Sequence, residues 1–281
     1  MNKIFVILFT LLISANLSAQ PQKVQIEKSF LNKNAEYYLF NSQEAQDTFH
    51  VYIKLPAGYD TAKTNFPVLY VLDGDIVFPI VSGVMQYLLY GEYVPEMIIV
   101  GVGYGTLDES PEGQNRRSRD YSPTQRAGRP NTGKAKQFLS FLTNELIPFV
   151  DKNFKSDKIN KTLQGHSMGG LFTTYTLFNS NNIFNRYIIS SPYLWWDEKS
   201  IFKEEEKFVK NNSELRANVF ISYGADEVKD IYHETIEEMI TKIKNKNYSG
   251  LKLTTRVFEK GEHFTVPAEA LTYGLVSVFS K

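Results

Sequence analysis

Gly165-His166-Ser167-Met168-Gly169 is the stretch whose reading decides the fold. Upstream, Lys161-Thr162-Leu163-Gln164 can form a short strand; downstream, residues 170–178 carry helical apolar content. A glycine two places either side of a serine, at a strand-to-helix junction, is a nucleophile-elbow pattern. The turn is expected to be too tight for side chains at both glycines. It should hold Ser167 in a strained conformation with its hydroxyl clear of the sheet. The serine then sits at a helix N-terminus, where amide N–H groups can stabilise an oxyanion.

Outward from the elbow, strands and helices alternate. Pro67-Val68-Leu69-Tyr70-Val71-Leu72 and Met97-Ile98-Ile99-Val100-Gly101-Val102 are continuous apolar runs, as in strands buried on both faces. Residues 187–190, 219–223 and 251–258 read as further strands, and alternation at 24–27 and 49–55 places strands in the N-terminal part. Helical spacing is predicted over 76–90, 135–150, 197–211, 228–245 and 265–279. This alternation implies an α/β sandwich. Residues 104–133, polar and rich in Gly, Pro and Arg, read as a long loop of the kind that is usually functional or disordered.

The chain has 281 residues, 42% of them hydrophobic, with 31 basic and 31 acidic side chains. That suits one large domain, residues 20–281, with a substantial core. The balanced charge argues against nucleic acid as a partner. Met1-Asn2-Lys3, an apolar run over 4–13 and the small and polar residues 14–20 read as a secretory signal peptide, residues 1–19, cut after Ala19. The apolar run falls short of the ~20 residues that span a bilayer. There is no cysteine, so neither disulfides, nor a lipid anchor after the signal, nor a thiol nucleophile is available. The expectation is a periplasmic or secreted protein with no stable membrane anchor.

A serine hydroxyl needs a base within hydrogen-bond reach, and the base needs an orienting acid. The chain has four histidines. His166 adjoins the serine and is expected to point away from the reaction side; His50 precedes the elbow; His233 falls within a predicted helix. His263 follows the last strand in Lys260-Gly261-Glu262-His263-Phe264, where α/β sheets place catalysis. The acid should follow the preceding strand, in Tyr223-Gly224-Ala225-Asp226-Glu227. A Gly-x-x-acid spacing selects Glu227, with Asp226 the alternative. Two backbone N–H groups should form the oxyanion hole: that of Met168, after the nucleophile, and that of Asp75, after the Leu72-Asp73-Gly74 turn.

The segment from Pro67 to Asp75, Gly165-His-Ser-Met-Gly-Gly170, Ser191-Pro-Tyr-Leu-Trp-Trp196 and Gly261-Glu-His-Phe264 together resemble the putative-esterase family of α/β-hydrolases. Arg119-Asp120-Tyr121-Ser122-Pro123 resembles its loop motif, and Asn144-Glu-Leu-Ile-Pro148 its helix before the elbow strand. The matches run in the family's order over residues 48–279. That family includes siderophore esterases, S-formylglutathione hydrolases, some feruloyl and acetyl-xylan esterases, and mycolyltransferases. The resemblance implies an α/β-hydrolase fold, a mostly parallel sheet with helices on both faces. It also implies serine hydrolase chemistry through Ser167 and His263, with no metal or organic cofactor. The Trp195-Trp196 pair resembles the siderophore-esterase branch; Tyr193 departs from it, standing where a small residue is usual.

Five arginines lie in the long loop, Arg116, Arg117, Arg119, Arg126 and Arg129. Guanidinium groups pair with anionic oxygens, and indoles offer flat faces to rings. Arg119, Trp195 and Trp196 are therefore the substrate-binding candidates, for a small-molecule or carbohydrate-linked ester. Acyl transfer to a sugar or lipid hydroxyl, and a non-catalytic binding role, are the competing readings.

Overall fold

The computed structural model describes residues 21–24, 34–106 and 111–280; the expected signal peptide and the expected strand residues 25–27 lie outside the described residues. Within them, nine strands build one sheet: β1 (Gln22–Val24), β2 (Ala35–Ser42), β3 (Asp47–Lys54), β4 (Phe66–Val71), β5 (Ile98–Gly103), β6 (Ser156–His166), β7 (Arg186–Ser190), β8 (Glu214–Gly224) and β9 (Ser249–Phe258). The spatial order is β1-β2-β3-β5-β4-β6-β7-β8-β9. The six strands from β4 to β9 run parallel, and β1, β2 and β3 add an antiparallel wing through the β3–β5 pair.

The strands bury both faces because alternate residues point to opposite sides. Val68 and Tyr70 of β4 enter one core and Leu69 and Val71 the other. Tyr187 and Ile189 of β7 oppose Ile188 in the same way, and Val219 and Ile221 of β8 oppose Phe220. The helices are α1 (Gly74–Tyr90), α2 (Pro111–Tyr121), α3 (Ala135–Ser140), α4 (Ile147–Asn153), α5 (Met168–Asn179), α6 (Trp196–Lys199), α7 (Ile201–Asn211), α8 (Glu234–Lys246) and α9 (Pro267–Phe279). A π-helical turn, Phe141–Leu146, joins α3 to α4, and another, Lys229–His233, leads into α8. Phe78 and Val81 of α1 and Leu271 and Leu275 of α9 cover the Leu69 side. Phe138 of α3, Phe172 of α5, Phe202 of α7 and Ile240 of α8 cover the Tyr70 side. This is the α/β-hydrolase architecture, with helices on both faces. Helix α5 is buried from Met168 to Phe178, so it carries no polar stripe and lies as a central rod.

Residues 104–133 are not a continuous loop. They contain α2, which ends on the buried residues Asp120 and Tyr121. Helix α2 has no apolar stripe to announce it. Ion pairs hold it instead: Arg116 to Asp47, Arg117 to Asp73, and Arg119 to both Asp47 and Asp120. Among the described residues no helix is long and apolar enough to cross a membrane.

The chain leaves β4 toward β5 on one side, while β6 leads to β7 on the other. The carboxyl ends of β4 and β6 therefore flank a topological switch point, where open α/β sheets form their ligand crevice. Helices α1 and α5 both begin there.

Candidate active site

Ser167 sits between β6 and α5 at φ 58°, ψ −118°, a region unfavourable to a side-chain-bearing residue and costing of order 1–3 kcal/mol. Three backbone hydrogen bonds hold it. The Ser167 N–H donates to the Ser190 carbonyl (3.0 Å), and the Ser167 carbonyl accepts from the N–H groups of Leu171 (2.9 Å) and Tyr193 (3.0 Å). The two elbow glycines are not equally constrained. A Cβ on Gly165 would fall 2.3 Å from the Gly169 carbonyl oxygen, whereas one on Gly169 would come no closer than 3.2 Å to Asp73. Close approach of helix to strand demands the first glycine far more than the second.

His263 lies in the loop between β9 and α9. Its Nε2 is 2.9 Å from Ser167 Oγ, and its Nδ1 is 2.7 Å from Glu227 Oε1. The second carboxylate oxygen of Glu227 accepts the Gly224 N–H at 3.0 Å, and Glu227 is only 7% exposed. A carboxylate can only accept, so it places the imidazole proton on Nδ1 and leaves the Nε2 lone pair facing the serine hydroxyl. Asp226 is exposed, and its N–H donates to the Gly261 carbonyl (2.9 Å), tying the acid turn to the histidine loop. The structure thus brings Ser167, His263 and Glu227 together and leaves the Asp226 carboxylate outside.

His166 does not point away, as its place beside the serine suggested. Its ring centroid lies 4.6 Å from that of His263, and Tyr232 flanks His263 at 4.5 Å. Burial, then the charges of His263 and Arg117, holds the His166 pKa well below the usual histidine range. The ring beside His263 is therefore a neutral one.

Met168 opens α5, and Asp75 lies in the first turn of α1; both line the same cavity as Ser167 and His263. N–H groups in the first turn of a helix have no partner within it. The Asp75 carboxylate faces three donors, the Tyr104 N–H (2.5 Å), the Tyr52 hydroxyl (2.7 Å) and the Gly105 N–H (3.1 Å). Arg117 ties the two segments together. Its Nε and Nη2 donate to the Asp73 carboxylate at 2.6 and 3.0 Å, and Nη2 also reaches the His166 carbonyl at 3.1 Å. Asp73 takes a left-handed conformation, φ 54°, with its N–H donating to the Tyr121 hydroxyl (3.1 Å).

The cavity has a volume of about 680 Å³. Arg119 is not in its lining. The guanidinium is engaged by Asp120 (2.7 and 2.8 Å) and Asp47 (2.5 Å), so its loop motif packs the protein. Trp195 also lies outside, 41% exposed, with the Lys199 ammonium 5.6 Å above its ring. Trp196 does line the cavity, though it is buried and donates its indole N–H to the Thr124 carbonyl (3.1 Å). The cations at the cavity are Arg117, spent on Asp73, and Arg126 and Arg129, which have no ion pair among the described residues. The Arg126 guanidinium lies 5.7 Å from the Trp196 ring centre. Phe264, 88% exposed, stands at the same cavity.

Sequence reasoning missed Arg117, Tyr193 as a wall and Tyr232. Four arginines within residues 116–126 carry no mark of which one turns inward, and Tyr232 falls in a stretch that reads only as helix.

A sheet of this order with a strand-turn-helix serine at its switch point defines the α/β-hydrolase class. The chain belongs to the family described as "Putative esterase", whose model matches residues 42–265, and is a carboxylic-ester hydrolase. It is 26% identical over 259 residues to the ferri-bacillibactin esterase BesA of Bacillus subtilis, covering 85% of this chain and 87% of that one. It is 27% identical over 219 residues to a siderophore triacetylfusarinine C esterase of Aspergillus fumigatus, covering 72% and 74%. Among solved structures, the BES protein from Bacillus cereus superposes with a TM-score of 0.79 at 30% identity, covering 92% of this chain and 98% of that one.

Proposed function

We propose that the chain is an exported serine esterase that cleaves siderophore-like esters through an acyl-enzyme on Ser167. The observation that carries the reading is the continuous line of hydrogen bonds from Glu227 through His263 to Ser167. Ser167 Oγ attacks the ester carbonyl while His263 Nε2 takes its proton. Glu227 fixes the imidazole tautomer and stabilises the imidazolium. The N–H groups of Met168 and Asp75, at the starts of two helices, receive the developing oxyanion. The alcohol leaves with the proton from His263, and water repeats the sequence to free the acid.

The cavity favours an acyl group with anionic and aromatic parts. Arg126 and Arg129 offer guanidinium forks with no ion-paired carboxylate among the described residues, and Tyr193, Trp196 and Phe264 offer ring surface. Cyclic catecholate triesters combine these features, and relatives named for siderophores agree with a siderophore-like ester. The test is a hydrolysis panel of a ferric tri-catecholate triester, a neutral aryl ester and acetylated xylan, each with and without an added alcohol. Preference for the triester, weakened by Arg126→Ala, is expected. Preference for xylan overturns the substrate class, and ester exchange outrunning hydrolysis would make the enzyme an acyltransferase.

A further inference from the structure

We propose that Tyr232 is a fourth catalytic residue, whose phenolic O–H donates a hydrogen bond to the oxygen leaving the acyl group; this rests on the serine-esterase reading above. The Tyr232 hydroxyl lies 3.3 Å from His263 Nε2, the nitrogen that also faces Ser167 Oγ at 2.9 Å. In acylation the proton received from Ser167 departs from that same Nε2 to the leaving oxygen. The leaving oxygen must therefore come within hydrogen-bond reach of Nε2, which makes it a neighbour of the phenol. In the free enzyme the phenol shares His263 Nε2 with Ser167 at a long 3.3 Å and also neighbours the Ser167 hydroxyl, so it already stands where the reacting oxygens gather, and a substrate oxygen offers it a better acceptor.

The side chain is held for this task. The Tyr232 ring lies against the His263 imidazole, with centroids 4.5 Å apart and planes 33° apart, and its N–H donates to the Val228 carbonyl at 2.9 Å. It belongs to the π-helical turn Lys229–His233, an element that concentrates at functional sites. Burial pushes its pKa up to about 12, so near neutrality it donates a hydrogen bond and does not act as a base. The step balances without it. The bond from acyl carbon to leaving oxygen breaks, the oxygen keeps the electron pair and takes the proton from His263, and Tyr232 retains its own proton. The phenol lowers the cost of the charge on that oxygen while the proton is in transit.

The test is Tyr232→Phe, which keeps the ring and removes the hydroxyl. Rates are expressed per serine titrated with a fluorophosphonate, on an alkyl ester and a p-nitrophenyl ester of the same acid. Nitrophenolate leaves without help, so its kcat/KM should stay within about 2-fold; for the alkyl ester it should fall about 10- to 100-fold, the worth of one transition-state hydrogen bond. Equal losses on both esters, or no loss on the alkyl ester, would overturn the role. A wild-type protein inert toward both esters would overturn the esterase reading and this role with it.

Discussion

Ser167 stands in a backbone conformation that no isolated serine would choose, and the surrounding hydrogen bonds and the missing Cβ of Gly165 hold it there. The same close packing distinguishes the two adjacent carboxylates. Glu227 turns inward with both oxygens engaged, whereas Asp226 contributes only its N–H to the turn. Glu227→Gln should therefore cost on the order of 10⁴-fold in kcat, since an amide keeps the shape but can no longer stabilise imidazolium. Asp226→Asn should change kcat less than about 3-fold. Steady-state rates on one ester decide between them, and the reverse order would move the acid to Asp226. The elbow and the histidine loop were legible because glycine spacing and position after a strand are local signals. Arg119 and Trp195 lie outside the cavity lining because which side chain enters a cavity depends on distant partners, here Asp47 and Lys199.

At the scale of elements, α2 is the piece the sequence concealed. A helix held by ion pairs has no apolar period, so residues 104–133 read as loop, whereas the buried strands and the stripes of α1, α3 and α9 were plain. Its arginines have separate tasks. Arg117 bridges the Asp73 turn and the His166 carbonyl, so it sets the distance between the two helix starts carrying Asp75 and Met168. Arg117→Met should lower kcat about 10- to 100-fold with KM little changed and destabilise the fold by about 2–3 kcal/mol, since it strands Asp73. Arg119→Met should lower stability comparably but leave the kcat/KM ratio between anionic and neutral esters where it was. Urea unfolding beside steady-state kinetics separates them; a selective rise in KM for the anionic ester in Arg119→Met would return that residue to the substrate.

Across the whole molecule, an aromatic-rich core on one side of the sheet and a mainly aliphatic one on the other carry the stability without any disulfide. Its pH dependence follows from histidines buried uncharged. His166 and His50 both have lowered pKa values, burial being the leading cause in each. The unfolded chain takes up protons below pH ~6.5 that the native state refuses, so unfolding becomes easier as pH falls. Moving from pH 7 to 5.5 should therefore lower the urea midpoint, with His166 contributing to the loss. His166→Asn should shrink that loss, and an unchanged pH slope would mean that His166 titrates normally. The most direct measurement of the central claim is the mass of protein quenched during turnover of a slowly deacylated ester, with the modified peptide sequenced. One acyl group on Ser167 is the expected result. Turnover with Ser167 unmodified, or acylation at another residue, would contradict the account.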